Sequence, residues 1–268
     1  IITMSEITPI LDILPNVFEE IETSYFTKFP PNAIKTYYPY LDILTNGFDK
    51  CELTTIIGDT DSYADTFLLN IAKNITTHSK KEILVLDLFP YGDNSELSFE
   101  IKQFKNMHYL NIENDSIEKI EYLINQFSKK YNKSIVFIKS INHLVGYNKF
   151  VMQNKIEDIT RRLKNTAKTT ELPIVVSANT SMIQNHNRRL LSIYNLGLYD
   201  ALACMSDKVI TTVLEDNEVL EMRQDLFIKV AKNKFGRTGV LRYGLYKETL
   251  NIVTIEPQER ELRVANSC

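Results

Sequence analysis

From about residue 40 onward, two kinds of apolar run alternate along the chain. Short β-branched runs predict strands over 53–57, 83–88, 134–138, 173–178, 208–214, 226–232 and 239–246. Longer runs with apolar residues at helical spacing predict helices over 66–77, 94–104, 115–130, 153–171 and 193–204. This alternation predicts an α/β fold in which helices flank a mostly parallel sheet. The short turn Asn233–Thr238 predicts an antiparallel hairpin at the C-terminal edge of that sheet.

The composition excludes several other classes of protein. A chain of 268 residues that is 44% hydrophobic can form one large α/β domain. The net charge of −3 gives no general attraction to nucleic acid, so any basic surface must be local. Cys51, Cys204 and Cys268 lack the spacing of a zinc site or a disulfide framework, which indicates a reducing, cytoplasmic location. No apolar run approaches ~20 residues, so we expect no membrane span.

The N-terminal segment predicts a separate helix. Residues 10–26 carry Pro15 in the first turn and apolar residues at helical spacing, and the prolines of Lys28–Asn32 then break the pattern. We therefore predict an N-terminal linker helix and linker over 1–33, and one domain over 34–268. The helix either folds back on its own domain or docks on a neighbouring subunit, and the sequence leaves both interpretations open.

The segment from Gly58 to Thr66 has the strand–turn–helix context of a phosphate-binding loop. Its residues are Gly58, Asp59, Thr60, Asp61, Ser62, Tyr63, Ala64, Asp65 and Thr66. Where such a loop reads Gly-Lys-Thr, this chain reads Ala64-Asp65-Thr66. A carboxylate replaces the ammonium that pairs with nucleotide phosphates, which argues against tight nucleotide binding. The loop is therefore interpreted as degenerate.

Several further segments carry a resemblance to one family. Tyr40–Phe48 resembles the pattern LD-x-L-T-x-G, and Ile159–Lys168 resembles I-S-R-x-L-K-x-L-A-K. Lys232–Gly239 resembles K-x-R-x-G-x-T-G. In this order, and with the degenerate loop between them, the segments resemble the RecA-fold motor domain of DnaB-type replicative helicases, over roughly residues 7 to 250. The resemblance implies a RecA-like sheet and a linker helix that packs on the adjacent subunit of a ring.

The chain departs from this family at the four positions that carry ATP hydrolysis. The P-loop lysine position is Asp65, the catalytic glutamate position is about Phe89, the Walker B position is Lys139 and the sensor glutamine position is Asn179. Phosphoryl transfer needs cationic charge, Mg²⁺ and a residue that orients water. We therefore predict a pseudo-ATPase with no catalytic residues, for which neither ATP nor Mg²⁺ is expected as a cofactor. Asp65 and Lys139 are hypothesised to form an ion pair in the vacated site.

Two groups of basic residues are candidates for binding. In the family, the hairpin offers basic residues to the nucleotide of the next subunit, which makes Lys232, Lys234 and Arg237 finger-like positions. Family loops near Arg188 and Arg189 hold single-stranded DNA, so these two arginines are DNA-binding candidates. A solvated hairpin and a plain surface loop are the alternatives.

Other clusters of polar residues do not predict chemistry. Asp59, Asp61 and Asp65 crowd one turn, which we interpret as a solvated polar turn rather than a metal site. The four histidines lie in separate segments without ligand spacing.

The resemblance and the departures together predict a protein of DNA replication or recombination that acts by binding. Its partner would be a helicase or other ring subunit, a second copy through the N-terminal helix, or single-stranded DNA. Two alternatives remain. One is an active but divergent ATP-dependent DNA helicase, with ATP and Mg²⁺ as cofactors. The other is a structural or regulatory scaffold without a nucleic-acid role.

Overall fold

The computed structural model describes most of the chain from Asn32 to Ile255. The described ranges are 32–59, 63–89, 96–112, 116–145, 149–180, 199–214 and 223–255. The described residues from Ala33 onward belong to one compact unit. The helix predicted over 10–26 lies outside the described residues, and the division into 1–33 and 34–268 stays a prediction.

One sheet of nine strands runs through the described residues. The strands are β1 Leu53–Asp59, β2 Ile83–Asp87, β3 Met107–Asn111, β4 Ile135–Lys139, β5 Ile174–Thr180, β6 Lys208–Leu214, β7 Arg223–Asn233, β8 Gly239–Tyr246 and β9 Asn251–Thr254. Their order across the sheet is β3-β2-β4-β5-β1-β6-β7-β8-β9. The first six strands in that order are parallel, and the last three pair in antiparallel fashion. The predicted mostly parallel sheet and its antiparallel C-terminal hairpin are confirmed.

Helices cover both faces of this sheet. They are α1 Pro39–Thr45, α2 Ala64–His78, α3 Glu96–Ile101, α4 Ile117–Lys130, α5 Asn142–Val145, α6 Lys149–Thr170 and α7 Asp200–Met205. Apolar residues of α1, α2 and α3 share one core cluster, and those of α4, α6 and α7 share the other.

The central strands are buried on both sides, which explains why they read as continuous apolar runs. In β2, Ile83 and Val85 belong to one cluster and Leu84 and Leu86 to the other. Successive side chains of a strand point to opposite faces, so each strand supplies both cores.

The structure also corrects parts of the prediction. β3 and β9 were not predicted, because β3 is a short edge strand with only Met107 buried, and β9 has only four residues. The helix predicted over 94–104 ends at Ile101, and the chain then enters β3. Of the helix predicted over 193–204, the described part is α7. The short helices α1 and α5 have too few turns to show a period in the sequence.

None of the helices within the described ranges is both long enough and apolar enough to cross a membrane.

Candidate functional site

The carboxyl ends of the parallel strands bring together the residues that follow them. β1 leads through the degenerate loop to α2, β2 ends at Asp87, β4 ends at Lys139, and β5 ends at Thr180. In open α/β sheets, ligands bind in the crevice outside these strand ends. The candidate site is therefore the set of polar side chains at this end of the sheet.

Asp65 lies in the first turn of α2, and hydrogen-bond donors surround its carboxylate. Ser177 donates its hydroxyl to Oδ1 at 2.6 Å. Ser140 donates its hydroxyl to Oδ2, and Asn179 donates its side-chain amide to the same oxygen at 3.3 Å. A carboxylate in the first turn also interacts favourably with the helix dipole. The carboxylate of Asp65 is thus satisfied by neutral groups of the chain itself.

Ser140 and Ser177 also join the ends of β4 and β5. The backbone pairing of these strands stops at Ile138 and Val176. Beyond that point, the backbone N–H of Ser140 donates to Ser177 Oγ at 3.0 Å. Ser140 has a φ of 60°, so the chain turns there in the left-handed region. The Ser177 side chain therefore continues the connection where the ladder ends, together with the backbone N–H of Ile141, which donates to the Ser177 carbonyl at 2.9 Å.

Asn142, in α5, connects the next residues of the two segments. Its Oδ1 accepts the backbone N–H of Asn179 at 2.9 Å, and its Nδ2 donates to the Asn179 carbonyl. Nδ2 also donates to the hydroxyl of Tyr199. Burial raises the pKa of Tyr199 to about 12, so the phenol stays neutral at physiological pH. Asn142 thus ties α5 to the end of β5 and to the start of α7.

Lys139 is buried and lies on the carboxylate of Asp87. Its Nζ is 3.2 Å from Oδ1 and 3.4 Å from Oδ2, with side-chain exposures of 6% for Lys139 and 0% for Asp87. Asp87 also accepts the Tyr109 hydroxyl at 2.6 Å and the backbone N–H of Phe89 at 3.1 Å. The ion pair hypothesised between Asp65 and Lys139 is therefore wrong: Asp87 is the carboxylate that binds Lys139.

His143 and Phe89 complete this end of the sheet. Their rings meet edge to face with centroids 5.3 Å apart, and Phe89 is 44% exposed. Burial lowers the pKa of His143 below its usual 6.5, and the charge of Lys139 lowers it further, while Asp65 and Asp87 act in the opposite direction. The imidazole is thus biased towards its neutral form.

The structure places the other residues of the degenerate loop as follows. Gly58 and Asp59 end β1, and Tyr63 precedes α2 in the left-handed region with φ 58°. Ala64 and Thr66 lie in the first turn of α2, and Ala64 is buried. Thr60, Asp61 and Ser62 lie outside the described residues, as do the DNA-binding candidates Arg188 and Arg189.

The finger-like residues of the hairpin have contacts within the chain. Lys232 donates to the carbonyls of Ala203 and Cys204, at 3.2 and 2.6 Å, and so caps the end of α7. Lys234 and Arg237 lie in the exposed turn, where the Arg237 backbone N–H donates to Leu44 O at 3.0 Å. The hairpin is formed as predicted, and its contact with a neighbouring nucleotide stays a prediction.

Sequence reasoning missed most of the polar network. Asn179 and Lys139 were singled out, but Ser140, Ser177 and Asn142 were not. A signal was present, because β4 and β5 each run directly into polar residues, and adjacent parallel strands end at the same edge.

Comparison with known proteins bears on the fold. No family model and no curated protein matches the chain. Among solved structures, one described as a DnaB-like replicative helicase and its interactions with primase has a TM-score of 0.73 at 17% identity, covering 94% of this chain and 68% of that chain. A second, described as an ATPase domain, has a TM-score of 0.71 at 19% identity, covering 94% of this chain and 100% of that one. At these identities the likeness establishes the fold, and the chain has the RecA-like fold of a DnaB-type helicase motor domain.

Proposed function

We propose that the chain is a helicase-like protein of DNA replication or recombination that acts by binding and does not hydrolyse ATP. The observation that carries this proposal is the environment of Asp65. A carboxylate stands where the resemblance places the phosphate-binding lysine, and Ser140, Ser177 and Asn179 hold it in place. An anion at that position repels the β- and γ-phosphates of a nucleotide.

The surrounding residues do not fit Mg²⁺-ATP either. The position of the Walker B carboxylate is Lys139, whose ammonium lies on Asp87. The position of the catalytic glutamate is near Phe89, whose side chain cannot orient a water molecule. Among the described residues, no three or more histidine, cysteine or acidic side chains are grouped so that they could hold a metal ion. These features support a pseudo-ATPase.

The proposed work of the protein is to bind a helicase or other ring subunit, or a second copy of itself through the N-terminal helix. Single-stranded DNA is the further proposed ligand. Support comes from the shared fold, since the neighbour of 17% identity is itself a replicative helicase whose structure concerns interactions with primase. A fold shared with motor domains can serve a different function from theirs, such as binding without hydrolysis.

The experiment that tests the proposal is calorimetric titration of Mg²⁺-ATP into the wild-type chain and into Asp65→Asn. We expect no detectable binding to wild type at millimolar nucleotide, and no phosphate release with or without single-stranded DNA. Asp65→Asn removes the charge but keeps the size of the side chain. Any weak binding gained by this variant therefore reports the repulsion from the carboxylate.

Micromolar binding to the wild-type chain would contradict the proposal. If DNA-stimulated phosphate release accompanied it, the divergent helicase would become the better interpretation. Failure to bind DNA at low salt, together with a stable protein complex, would favour the scaffold.

A further inference from the structure

A basic cleft lies at the opposite end of the sheet from Asp65. Its volume is about 530 Å³, and it is formed by the second half of α6, the end of α7 and the end of β7. Its charged lining residues are Arg161, Lys164, Lys168, Lys232, Lys234 and Asp207. Asp207 directly precedes β6, so the cleft lies at the amino ends of the parallel strands. Its lining carries five cations and one carboxylate, and ion pairs with Asp207 and Asp158 offset two of those cations. Within the described residues, Lys168, Lys232 and Lys234 then give the cleft its excess of positive charge.

Two of these cations are held in fixed positions. Lys164 donates to the Cys51 carbonyl at 2.9 Å and to the carboxylate of Asp207, which also accepts the backbone N–H of Leu53. Within the described ranges, Lys232 donates to uncharged carbonyls alone, those that end α7. Carbonyl groups do not cancel the charge of an ammonium, so Lys232 contributes a fixed positive charge to the cleft.

Three cations follow one face of α6. Arg161, Lys164 and Lys168 are spaced by three and four residues, so they lie side by side over roughly 10 Å of helix. Arg161 pairs with Asp158 on the exposed surface. The ammonium of Lys168 has no hydrogen-bonding partner in the part of the chain that the structure describes. A row of cations of this kind suits an anion with repeated charges, such as a phosphate backbone.

An aromatic ring stands next to the cleft. Phe235 is 63% exposed, and the ammonium of Lys234, which lines the cleft, lies 4.9 Å from its ring centroid. Single-stranded nucleic acids are bound by grooves that combine backbone cations with rings on which bases stack. An acidic peptide supplies carboxylates but no bases to stack on the ring, so the exposed ring favours nucleic acid.

We infer that the basic cleft binds the phosphate backbone of a short stretch of single-stranded nucleic acid, with Phe235 as a stacking surface for a base. This inference deepens the proposed function, on which the choice of ligand rests, by naming binding residues other than Arg188 and Arg189. It does not depend on nucleotide binding. If the cleft fails to bind nucleic acid, the Mg²⁺-ATP titration is therefore unaffected. If that titration contradicts the proposed function, the measurement of binding to the cleft is likewise unaffected.

The test is the affinity of the full chain for a fluorescent oligo-dT at low salt, measured by anisotropy. The cleft variant combines Lys168→Glu with Lys234→Glu, two exposed positions on different elements. We expect its affinity to fall at least about tenfold, and the slope of log K against log salt to become shallower by about 1.4, the value for two lost phosphate contacts. Phe235→Ala should weaken binding at least about fivefold through lost stacking.

The matched control combines Lys105→Glu with Lys129→Glu, which changes the net charge equally at exposed positions away from the cleft. We expect it to bind oligo-dT much more tightly than the cleft variant does. A second readout locates the ligand, because Cys204 lines the cleft and is exposed. In a chain with Cys51→Ser and Cys268→Ser, oligo-dT should slow the reaction of Cys204 with a disulfide reagent.

Three results would overturn the inference. The first is equal affinity of the cleft variant and the control for oligo-dT. Absence of oligo-dT binding by the wild-type chain at low salt would count in the same way. The second is loss of binding in Arg188→Ala with Arg189→Ala while Cys204 stays unprotected, which would place DNA on that loop. The third is displacement of oligo-dT by poly-glutamate at equal concentration of charge, which would indicate an acidic protein partner.

Discussion

Lys139 is a buried cation at a position where the resemblance expects an acid. The Lys139 ammonium and the Asp87 carboxylate are both buried, and Tyr109 and the backbone of Phe89 donate further hydrogen bonds to that carboxylate. A buried pair contributes little net stability compared with apolar residues of the same size. Removal of one partner alone, however, leaves an uncompensated charge.

The first prediction concerns this pair. Lys139→Met should lower the free energy of unfolding by about 3–5 kcal/mol, because Asp87 stays buried without a cation. Adding Asp87→Asn should recover most of that loss. Urea denaturation of the two single variants and the double variant measures the coupling. Lys50→Met, which removes an exposed pair with Glu171, serves as the control and should change little. Strictly additive effects of Lys139→Met and Asp87→Asn would show that the two side chains are not coupled.

The second prediction concerns His143. Burial lowers its pKa in the folded chain below 6.5, so the unfolded chain binds more protons at mildly acidic pH. The stabilising contribution of neutral His143 should be complete above pH 6.5, and should be lost as the pH falls from 6.5 through the lower folded pKa. His143→Gln should remove this part of the pH dependence, measured as unfolding free energy against pH. His78→Gln, at the exposed end of α2, should keep it. An unchanged slope in His143→Gln would contradict the assignment.

At the scale of elements, the β7–β8 hairpin is fixed to α1 through its turn. Asn233 donates its side-chain amide to the carbonyls of Leu44 and Arg237, at 2.9 and 3.2 Å. A Cβ on Gly236 would overlap Asn233 Nδ2 and would lie 2.7 Å from Leu44 O. The glycine therefore permits the close approach of the turn to the end of α1, and this approach positions Lys234 and Arg237.

The third prediction follows from this contact. Gly236→Ala should lower stability by about 1–3 kcal/mol, because a backbone carbonyl and a hydrogen-bonded amide must both move. Gly239→Ala is the matched control: its Cβ would meet only the flexible end of the Leu44 side chain, at 3.2 Å, so its effect should be small. Urea denaturation compares them. Equal stability of the two variants would mean that the turn adjusts freely.

At the scale of the whole molecule, the sequence predicted the parts that depend on burial. β2, β4 and β5 are buried on both faces, so their apolar runs were visible, and the alternation with helices implied the parallel sheet. The edge strand β3 could not be predicted from an apolar run, since Leu110 and Asn111 are exposed and, within this strand, only Met107 is buried. Short elements depend on their neighbours more than on their own residues.

The candidate site was predictable only in part, for a different reason. The resemblance located Asp65, Lys139 and Asn179, but the choice of partners is a matter of geometry between distant segments. Asp65 and Ser177 are 112 positions apart in the chain, and Lys139 and Asp87 are 52 apart. Spacing in sequence carries no information on which of two carboxylates an ammonium meets. The ion pair between Asp65 and Lys139 was accordingly a wrong prediction, although both residues lie at the same end of the sheet.

The hydrogen bonds of Asp65 have a mechanical consequence. They join the start of α2 to the ends of β4 and β5, at the end of the sheet where ligands of open α/β folds bind. A ligand shifts a protein between two shapes only when it binds one of them better. Under the proposed function, a bridge built from the chain's own side chains stands in place of such a ligand, and we expect the domain to act as a spacer of constant shape in a ring of moving subunits.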